Sequence, residues 1–246
     1  MTDIDTRLRA ARGLGKDETK ASLKAFESLR RRGHPQAPPP IASDGWGGIT
    51  EAMIKVWGRI PPYRGRGRPP TRKLPGDDWQ YLQMIKHRDK RGRLMEIEAK
   101  VVFGAEQAVR QLLGENTAYA ERNHLTMRHF NGRLVRKSLA FSKKVRMLAV
   151  STAWEDLYYN FVRVHKSLRK PSRQAGKTQW IQQTPAMAAN LARQPYTVRS
   201  LLFAVVPKQH SRGRLPSFEW SIYLLPFRET CIIAVNKYLV NFIYFI

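Results

Sequence analysis

A hairpin near the middle of the chain is the feature that most limits how this sequence can fold. The runs Trp79–Arg88 and Leu94–Phe103 flank a turn about Asp89–Gly92, and the second run alternates apolar and polar residues. Alternation with a period of two is typical of a half-buried strand. Since helical patterns lie on both sides of this hairpin, the sequence predicts a mixed α/β fold.

The helical patterns are clearest in Asp17–Arg32, where Leu23, Phe26 and Leu29 keep helical spacing and the last turn is basic, as the helix dipole favours. Further helices are predicted from about Gly45 to Trp57, over Ala105–Leu113, over Thr117–Phe130, and from Lys143 to about His165. In the last one, apolar residues from Trp154 onward recur every three or four positions and predict a buried stripe that ends on a packed His165.

Two strands are predicted ahead of the hairpin. Thr6–Gly13 is predicted as a strand of exposed character because of its arginines. After the proline-rich break Gly33–Pro40, the short apolar run Ile41–Ser43 ends on Asp44. An acid at the end of a short buried strand lies where α/β folds place their chemistry, so Asp44 is a candidate site residue.

The segment from Arg122 to Arg146 holds eight Lys or Arg and no Asp or Glu, and Glu121 directly precedes it. The whole chain carries a formal net charge of +25, which indicates a polyanionic partner, nucleic acid above all. A carboxylate at the edge of a cationic surface suits a metal-dependent phosphodiesterase, in which divalent ions bridge carboxylate and phosphate. The alternative is a solvated amphipathic helix with one incidental glutamate.

A second basic segment, Arg59–Lys73, has six basic residues, no acid, and several prolines and glycines, so we predict a loop. Within it, Arg66-Gly67-Arg68-Pro69 is similar to the arginine hooks that enter narrow, AT-rich minor grooves. A flexible charged linker is the alternative.

The remaining composition indicates an intracellular, cytoplasmic protein. The single cysteine, Cys231, excludes an internal disulfide and a Cys-rich zinc module, and the polar start of the chain does not have the pattern of a signal peptide. From Ser217 the chain becomes rich in Ile, Tyr, Phe and Leu, but its charged residues leave apolar runs too short to cross a bilayer. We predict an aggregation-prone tail there, with a membrane anchor as the alternative.

Several blocks, taken together, resemble the insertion-sequence-one family of DDE transposases. The blocks are AERNHLTMRHFNGRLVRKSLAFSKKVRML from Ala120, WEDLYYNFVRVHKSLR from Trp154 and TPAMAANL from Thr184. They are similar to the family's ERxxLTxR, RKxLxFSK, YNFxRxHxSLR and TPAM segments, in order and at similar spacing. SDGW at Ser43–Trp46 and DIDTRL at Asp3–Leu8 resemble its two Asp-bearing segments. The likeness covers roughly Asp3 to Pro207.

The resemblance implies a ribonuclease-H-like mixed sheet flanked by helices, with a long C-terminal helix. It implies a catalytic domain over residues 1–170, an extension with the TPAM segment over 171–207, and a non-homologous tail over 208–246. Asp3, Asp44 and Glu121 would be the catalytic acids and would bind two Mg²⁺ or Mn²⁺ ions; Asp5 is a rival to Asp3. The implied chemistry is cleavage at the element end, followed by attack of the freed 3′-hydroxyl on target DNA.

The implied partner is double-stranded DNA, both at the element ends and at the target site. The implied location is the nucleoid, and a homo-oligomer could assemble on the DNA. The predicted phosphate contacts are Arg64, Arg66, Arg68, Arg122, Arg128, Arg133, Arg136, Lys137, Lys143 and Lys144. At one position the chain departs from the family, since His124 stands where members often have asparagine, and the role of that position stays open.

Family members usually carry a zinc or helix-turn-helix module ahead of the first catalytic strand, whereas Met1 lies two residues before Asp3. We therefore expect a truncated copy whose first strand is incomplete, and which binds DNA without cutting it. A DNA-binding remnant without catalysis and an RNA-binding or ribosome-associated basic protein are the competing interpretations.

Overall fold

A computed structural model describes residues 1–65, 67–114, 118–135, 137–174 and 177–203, together with the backbone of a strand at 233–235. The elements in chain order are β1 (Thr2–Asp3), α1 (Glu18–Arg32), β2 (Ile41–Asp44), α2 (Gly48–Trp57), β3 (Tyr81–Arg88), β4 (Leu94–Phe103), α3 (Glu106–Leu113), α4 (Ala118–Phe130), α5 (Val145–Leu157), β5 (His165–Gln174), β6 (Lys177–Gln183), α6 (Pro185–Ala188), α7 (Val198–Leu202) and β7 (Ile233–Val235). The predicted tail otherwise lies outside the described residues.

The centre of the fold is a small mixed sheet in the order β1-β7-β2-β3-β4. Strands β2 and β3 are parallel, while β3 and β4 form the antiparallel hairpin that the alternating pattern predicted. Helices flank the sheet, so the mixed α/β class is confirmed. A ribonuclease-H-like identity stays a prediction. A separate hairpin, β5-β6, follows α5.

The two faces of the sheet bury different sets of side chains, because neighbouring residues of a strand point to opposite faces. On one face, Ile41 and Tyr81 pack with Phe26 of α1 and Ile49 of α2. On the other face, a second cluster packs against α3; it contains Ala42, Leu82, Met84, Ala99, Val109 and Leu113. We call these the α1–α2 face and the α3–α4 face.

Helix α1 confirms its prediction almost to the residue. It begins after Asp17, whose carboxylate accepts the backbone N–H of Lys20 at 2.7 Å, as N-cap residues do. Its buried side chains, with Phe26 and Leu29 among them, face α2 and the sheet. The apolar spacing in the sequence therefore identified the face that packs.

The predicted strand Thr6–Gly13 is wrong. The first eleven residues instead form a tight hairpin, in which the Asp3 N–H donates to Leu8 O at 2.8 Å and the Ala10 N–H donates to Met1 O at 3.0 Å. Its second arm, residues 8–11, is buried rather than exposed. The reason is that Ala10 and Ala11 join the core of the α1–α2 face, while Arg9 is buried among polar partners described below.

The long predicted C-terminal helix is also wrong beyond Val162. Helix α5 ends at Leu157 and continues directly into a five-residue π-helix over Tyr158–Val162. Strand β5 then begins at His165. At this end of the helix the Phe161 carbonyl accepts the N–H of Tyr196 at 2.9 Å, in place of an N–H from a further helical turn. Trp154, predicted as core, is 37% exposed, whereas Phe161 is buried as expected.

Among the described residues, no helix has both the length and the apolar content needed to cross a membrane.

Candidate functional site

Asp44 is the last residue of β2, at the point where the chain leaves the sheet toward α2. Glycine at position 45 suits this exit, because a Cβ there would lie 3.1 Å from the side chain of Ile85 on the neighbouring strand, which is a tight contact. Asp44 is level with Met84 of β3 in the parallel register. The sequence therefore placed this acid correctly, at the end of a short buried strand.

A buried hydrogen-bond chain stabilises the strand end under Asp44. The hydroxyls of Ser43 and Tyr81 lie 2.7 Å apart, and Gln83 donates its amide to the Tyr81 hydroxyl at 2.9 Å. Ser43 also donates to the Asp44 carbonyl oxygen at 2.8 Å. Burial raises the pKa of Tyr81, so its hydroxyl keeps its proton and the chain stays neutral.

Glu121 projects from the first turn of α4 and forms an ion pair with Lys86 of β3. Lys86 lies two residues beyond Met84, so it points to the same face of the sheet as Met84 and Asp44. Asp44, Lys86 and Glu121 therefore share the α3–α4 face. We call Asp44 and Glu121 the acid pair.

Asp3 does not join the acid pair, which corrects its predicted placement. Its neighbour Thr2 accepts a hydrogen bond from Asn123 of α4 at 2.7 Å, so Thr2 faces α4 and Asp3 points to the opposite face. There the Asp3 carboxylate accepts the N–H and the hydroxyl of Thr6 inside the N-terminal hairpin. Burial raises the pKa of Asp3. The rival Asp5 is an exposed residue of the hairpin turn.

Two-ion phosphoryl transfer needs about three carboxylates that converge on one point. Within the described part of the chain, no three Asp, Glu, His or Cys side chains come together as metal ligands. Asp44 and Glu121 share a face of the sheet, but Glu121 is paired with Lys86 and Asp3 faces the other way. These residues do not complete a two-ion site, and the Mg²⁺ or Mn²⁺ prediction gains no support from them.

The cations predicted to hold phosphate are accessible where the structure describes them. Arg122 lies on the outward side of α4 next to Glu121, and further exposed cations follow along the chain. We call this group the basic surface; it consists of Arg122, Arg133, Lys137, Lys143 and Lys144. Within the described residues none of the five forms an ion pair with a carboxylate, so all are available to phosphate. Arg128 is half-buried, and Arg136 lies outside the described residues.

The basic segment Arg59–Lys73 is a loop, as predicted. Its ends are closed by paired backbone hydrogen bonds between Arg59 and Leu74, at 2.9 and 3.0 Å. Arg64 and Arg68 are exposed, while Arg66 lies outside the described residues. Since the loop leads into the start of β3, and Asp44 ends the parallel strand β2, the loop lies at the opposite end of the sheet from Asp44. It is therefore a separate basic patch.

Sequence reasoning missed a buried polar cluster around Arg9. The Arg9 guanidinium donates to Glu155 at 2.8 Å and to the Asn123 amide oxygen at 2.8 Å, and it lies 3.9 Å from the Tyr159 ring centre. Asn160 accepts the Arg9 N–H at 3.0 Å and donates to its carbonyl at 3.1 Å. We call Arg9, Asn123, Glu155 and Asn160 the Arg9 network.

The Arg9 network positions Glu121 indirectly. It ties the N-terminal hairpin to α4, which carries Glu121, and to the end of α5. No pattern in the sequence predicts the burial of Arg9, because alternating arginines such as Arg7 and Arg9 are typical of a segment that faces solvent. The asparagines lie in the resemblance blocks, but their partners are more than a hundred residues away.

His124 has a structural position on the inner side of α4. It is 7% exposed, and burial lowers the pKa of its imidazole to about 3. His124 is therefore neutral at physiological pH and lies among the packed residues of α4.

The sequence analysis also missed Lys86, the partner of Glu121, since it is one of many lysines in the sequence.

Comparison with known proteins finds no family pattern, no curated protein and no solved structure that matches this chain.

Proposed function

We propose that this chain is a transposase-type DNA-binding domain that engages the phosphate backbone of double-stranded DNA through the basic surface beside the acid pair. The observation that carries the proposal is the arrangement on the α3–α4 face. Asp44 and Glu121 lie on one side of the sheet, and Arg122 follows Glu121 on the outward side of α4. Unpaired, exposed cations give sequence-independent, salt-dependent affinity for DNA.

The resembled family would add metal-dependent cleavage at element ends and strand transfer to this binding. The geometry of the described residues favours binding without cleavage, because Asp3 faces away from the acid pair. We therefore propose a DNA-binding domain that does not cut DNA by itself. The alternative of an RNA-binding protein draws on the net charge alone.

The first test is the salt dependence of duplex binding, measured by fluorescence anisotropy on a labelled DNA duplex. If the protein contacts six to ten phosphates, affinity should fall by about 10³- to 10⁵-fold between 50 and 200 mM salt. A flat response to salt would contradict the proposal.

A matched pair of variants then locates the footprint. Replacing Arg122, Lys143 and Lys144 by glutamine should flatten the slope of log affinity against log salt by about 2 to 3, since each lost phosphate contact contributes about 0.9. The control replaces Lys20, Lys24 and Lys55 on α1 and α2, which removes the same charge from the other side of the sheet. An equal loss in both variants would mean that only net charge matters.

A further inference from the structure

An open cleft lies beside the basic surface and has no role in the proposal so far. It is formed by the C-terminal end of α4, the segment that follows it, and α5, and its volume is about 640 Å³. Four aromatic side chains line it: Phe130, Phe141, Trp154 and Tyr158. We call it the aromatic cleft.

The aromatic side chains of the cleft are unusually accessible. Phe130 is 52% exposed, Phe141 is 45% exposed and Trp154 is 37% exposed, although large aromatic residues contribute most to stability when they are buried. The Arg163 guanidinium also lies over the Phe130 ring, 4.6 Å from its centre. Aromatic faces open to solvent beside cations are the arrangement with which proteins stack nucleic-acid bases.

The inner wall of the cleft also carries two buried polar side chains, Asn131 and Glu155, which are 7% and 8% exposed. Asn131 uses its amide oxygen to accept the Arg133 N–H, and Glu155 uses one carboxylate oxygen for Arg9. Asn131 also hydrogen-bonds to Glu155 and lowers the pKa of its carboxyl. The Asn131 amide nitrogen and the second Glu155 oxygen are enclosed by the protein, so the accessible lining of the cleft is mainly aromatic.

Open aromatic faces beside cations favour a nucleobase over an apolar side chain from a protein partner, because a nucleobase has flat faces for stacking and a phosphate on each side. Arg133 lines the cleft, and Lys143 and Lys144 come just after the lining residue Phe141 in the chain. These three cations can bind the phosphates on either side of the base.

We infer that the aromatic cleft binds one unpaired base of DNA, stacked on Trp154 or Phe141, while the flanking backbone lies on the basic surface. This inference rests on the proposed DNA binding, and it adds a preference for DNA that contains an unpaired base. Since every base has a flat face that can stack on an aromatic ring, the cleft should accept any of the four.

The test compares a blunt duplex with the same duplex carrying one bulged 2-aminopurine, under identical salt. The bulged duplex should bind about 5- to 150-fold more tightly, because stacking of a base on an aromatic side chain contributes about 1–3 kcal/mol. The 2-aminopurine fluorescence should be quenched on binding. Trp154→Ala and, separately, Phe141→Ala should reduce both effects while leaving blunt-duplex affinity unchanged, and Trp154→Phe should restore part of the preference.

Trp180→Ala is the matched control. Trp180 lies on β6, outside the cleft; it is 48% exposed, and the guanidinium of Arg169 on β5 lies over its ring. Equal affinity of the wild-type chain for bulged and blunt duplexes would overturn the inference and leave the proposed function standing. A bulged RNA duplex that binds as tightly as the DNA would overturn the assignment to DNA. Failure to bind the blunt duplex at all would overturn the proposed function and the inference with it.

Discussion

The two faces of the central sheet differ in the size of their apolar clusters and in the charges that lie beside them. The α1–α2 face is closed by apolar side chains such as Phe26 and Ile49, which are almost completely buried. The α3–α4 face has a smaller apolar cluster, and beside it lie Asp44, Lys86 and Glu121. The difference indicates that one face supplies stability and that the other presents charge.

Magnitudes support this division. Burying one large apolar side chain contributes about 1.5–3 kcal/mol, whereas an exposed ion pair contributes about 0.2–1 kcal/mol. The Lys86–Glu121 pair belongs to the second class, since the Glu121 side chain is 45% exposed. Its contribution to folding is small, so these charges can be exchanged for contacts with a bound polyanion.

The largest expected effect is on the α1–α2 face. Phe26→Ala should lower the free energy of unfolding by about 3–5 kcal/mol, because it removes a fully buried ring that packs edge-on against Trp57. Urea denaturation measures the loss. Leu125→Ala, on the exposed side of α4, is the control and should change stability by less than about 0.5 kcal/mol. Duplex affinity of the folded Phe26→Ala protein should be unchanged.

The next effect concerns the Arg9 network. Arg9→Met should cost on the order of 3 kcal/mol of stability, because it leaves the Glu155 carboxylate buried without its cation. Burial already raises the pKa of Glu155, and Arg9 is the main group that opposes this shift. Adding Glu155→Gln to Arg9→Met should therefore recover part of the loss in urea denaturation. No recovery in the double variant would mean that Arg9 acts by packing alone.

A smaller effect is expected from pH. The folded pKa of His124 is about 3, below the ordinary value of 6.5, so the unfolded chain takes up a proton first as pH falls. This contribution to stability is complete above pH 6.5 and is lost as pH falls toward 3, by about 1.4 kcal/mol per pH unit. Between pH 6.5 and 5, His124→Gln should flatten the fall in unfolding free energy, which urea denaturation at each pH measures.

The smallest effect on stability is expected at the acid pair itself. Glu121→Gln should change the unfolding free energy by less than about 1 kcal/mol, because the ion pair with Lys86 is largely solvated. Duplex affinity should stay the same or rise by a few-fold, since a negative charge near phosphate is removed. A clear loss of affinity would mean that Glu121 orders the cations around it, contrary to the division between the two faces.

The sequence was sufficient where local patterns decide the structure. The start of α1 near Asp17, the strand β4 and the exit at Asp44–Gly45 are all local, and all were predicted. It failed where distant residues decide. Arg9 is buried because Asn123, Glu155 and Asn160 surround it. The helical segment that starts with α5 ends after Val162, where the N–H of Tyr196 donates to the Phe161 carbonyl. Asp3 was misplaced because its face depends on the N-terminal hairpin.

We propose that the α3–α4 face holds DNA but that its acids, as arranged in the described residues, do not cut it. The most direct measurement is a nicking assay on a labelled DNA end with Mg²⁺ or Mn²⁺, at protein concentrations where binding is saturated. We predict saturable binding and no nicking by the wild-type chain or by Asp44→Asn. Robust nicking by the wild-type chain that disappears in Asp44→Asn would contradict the account.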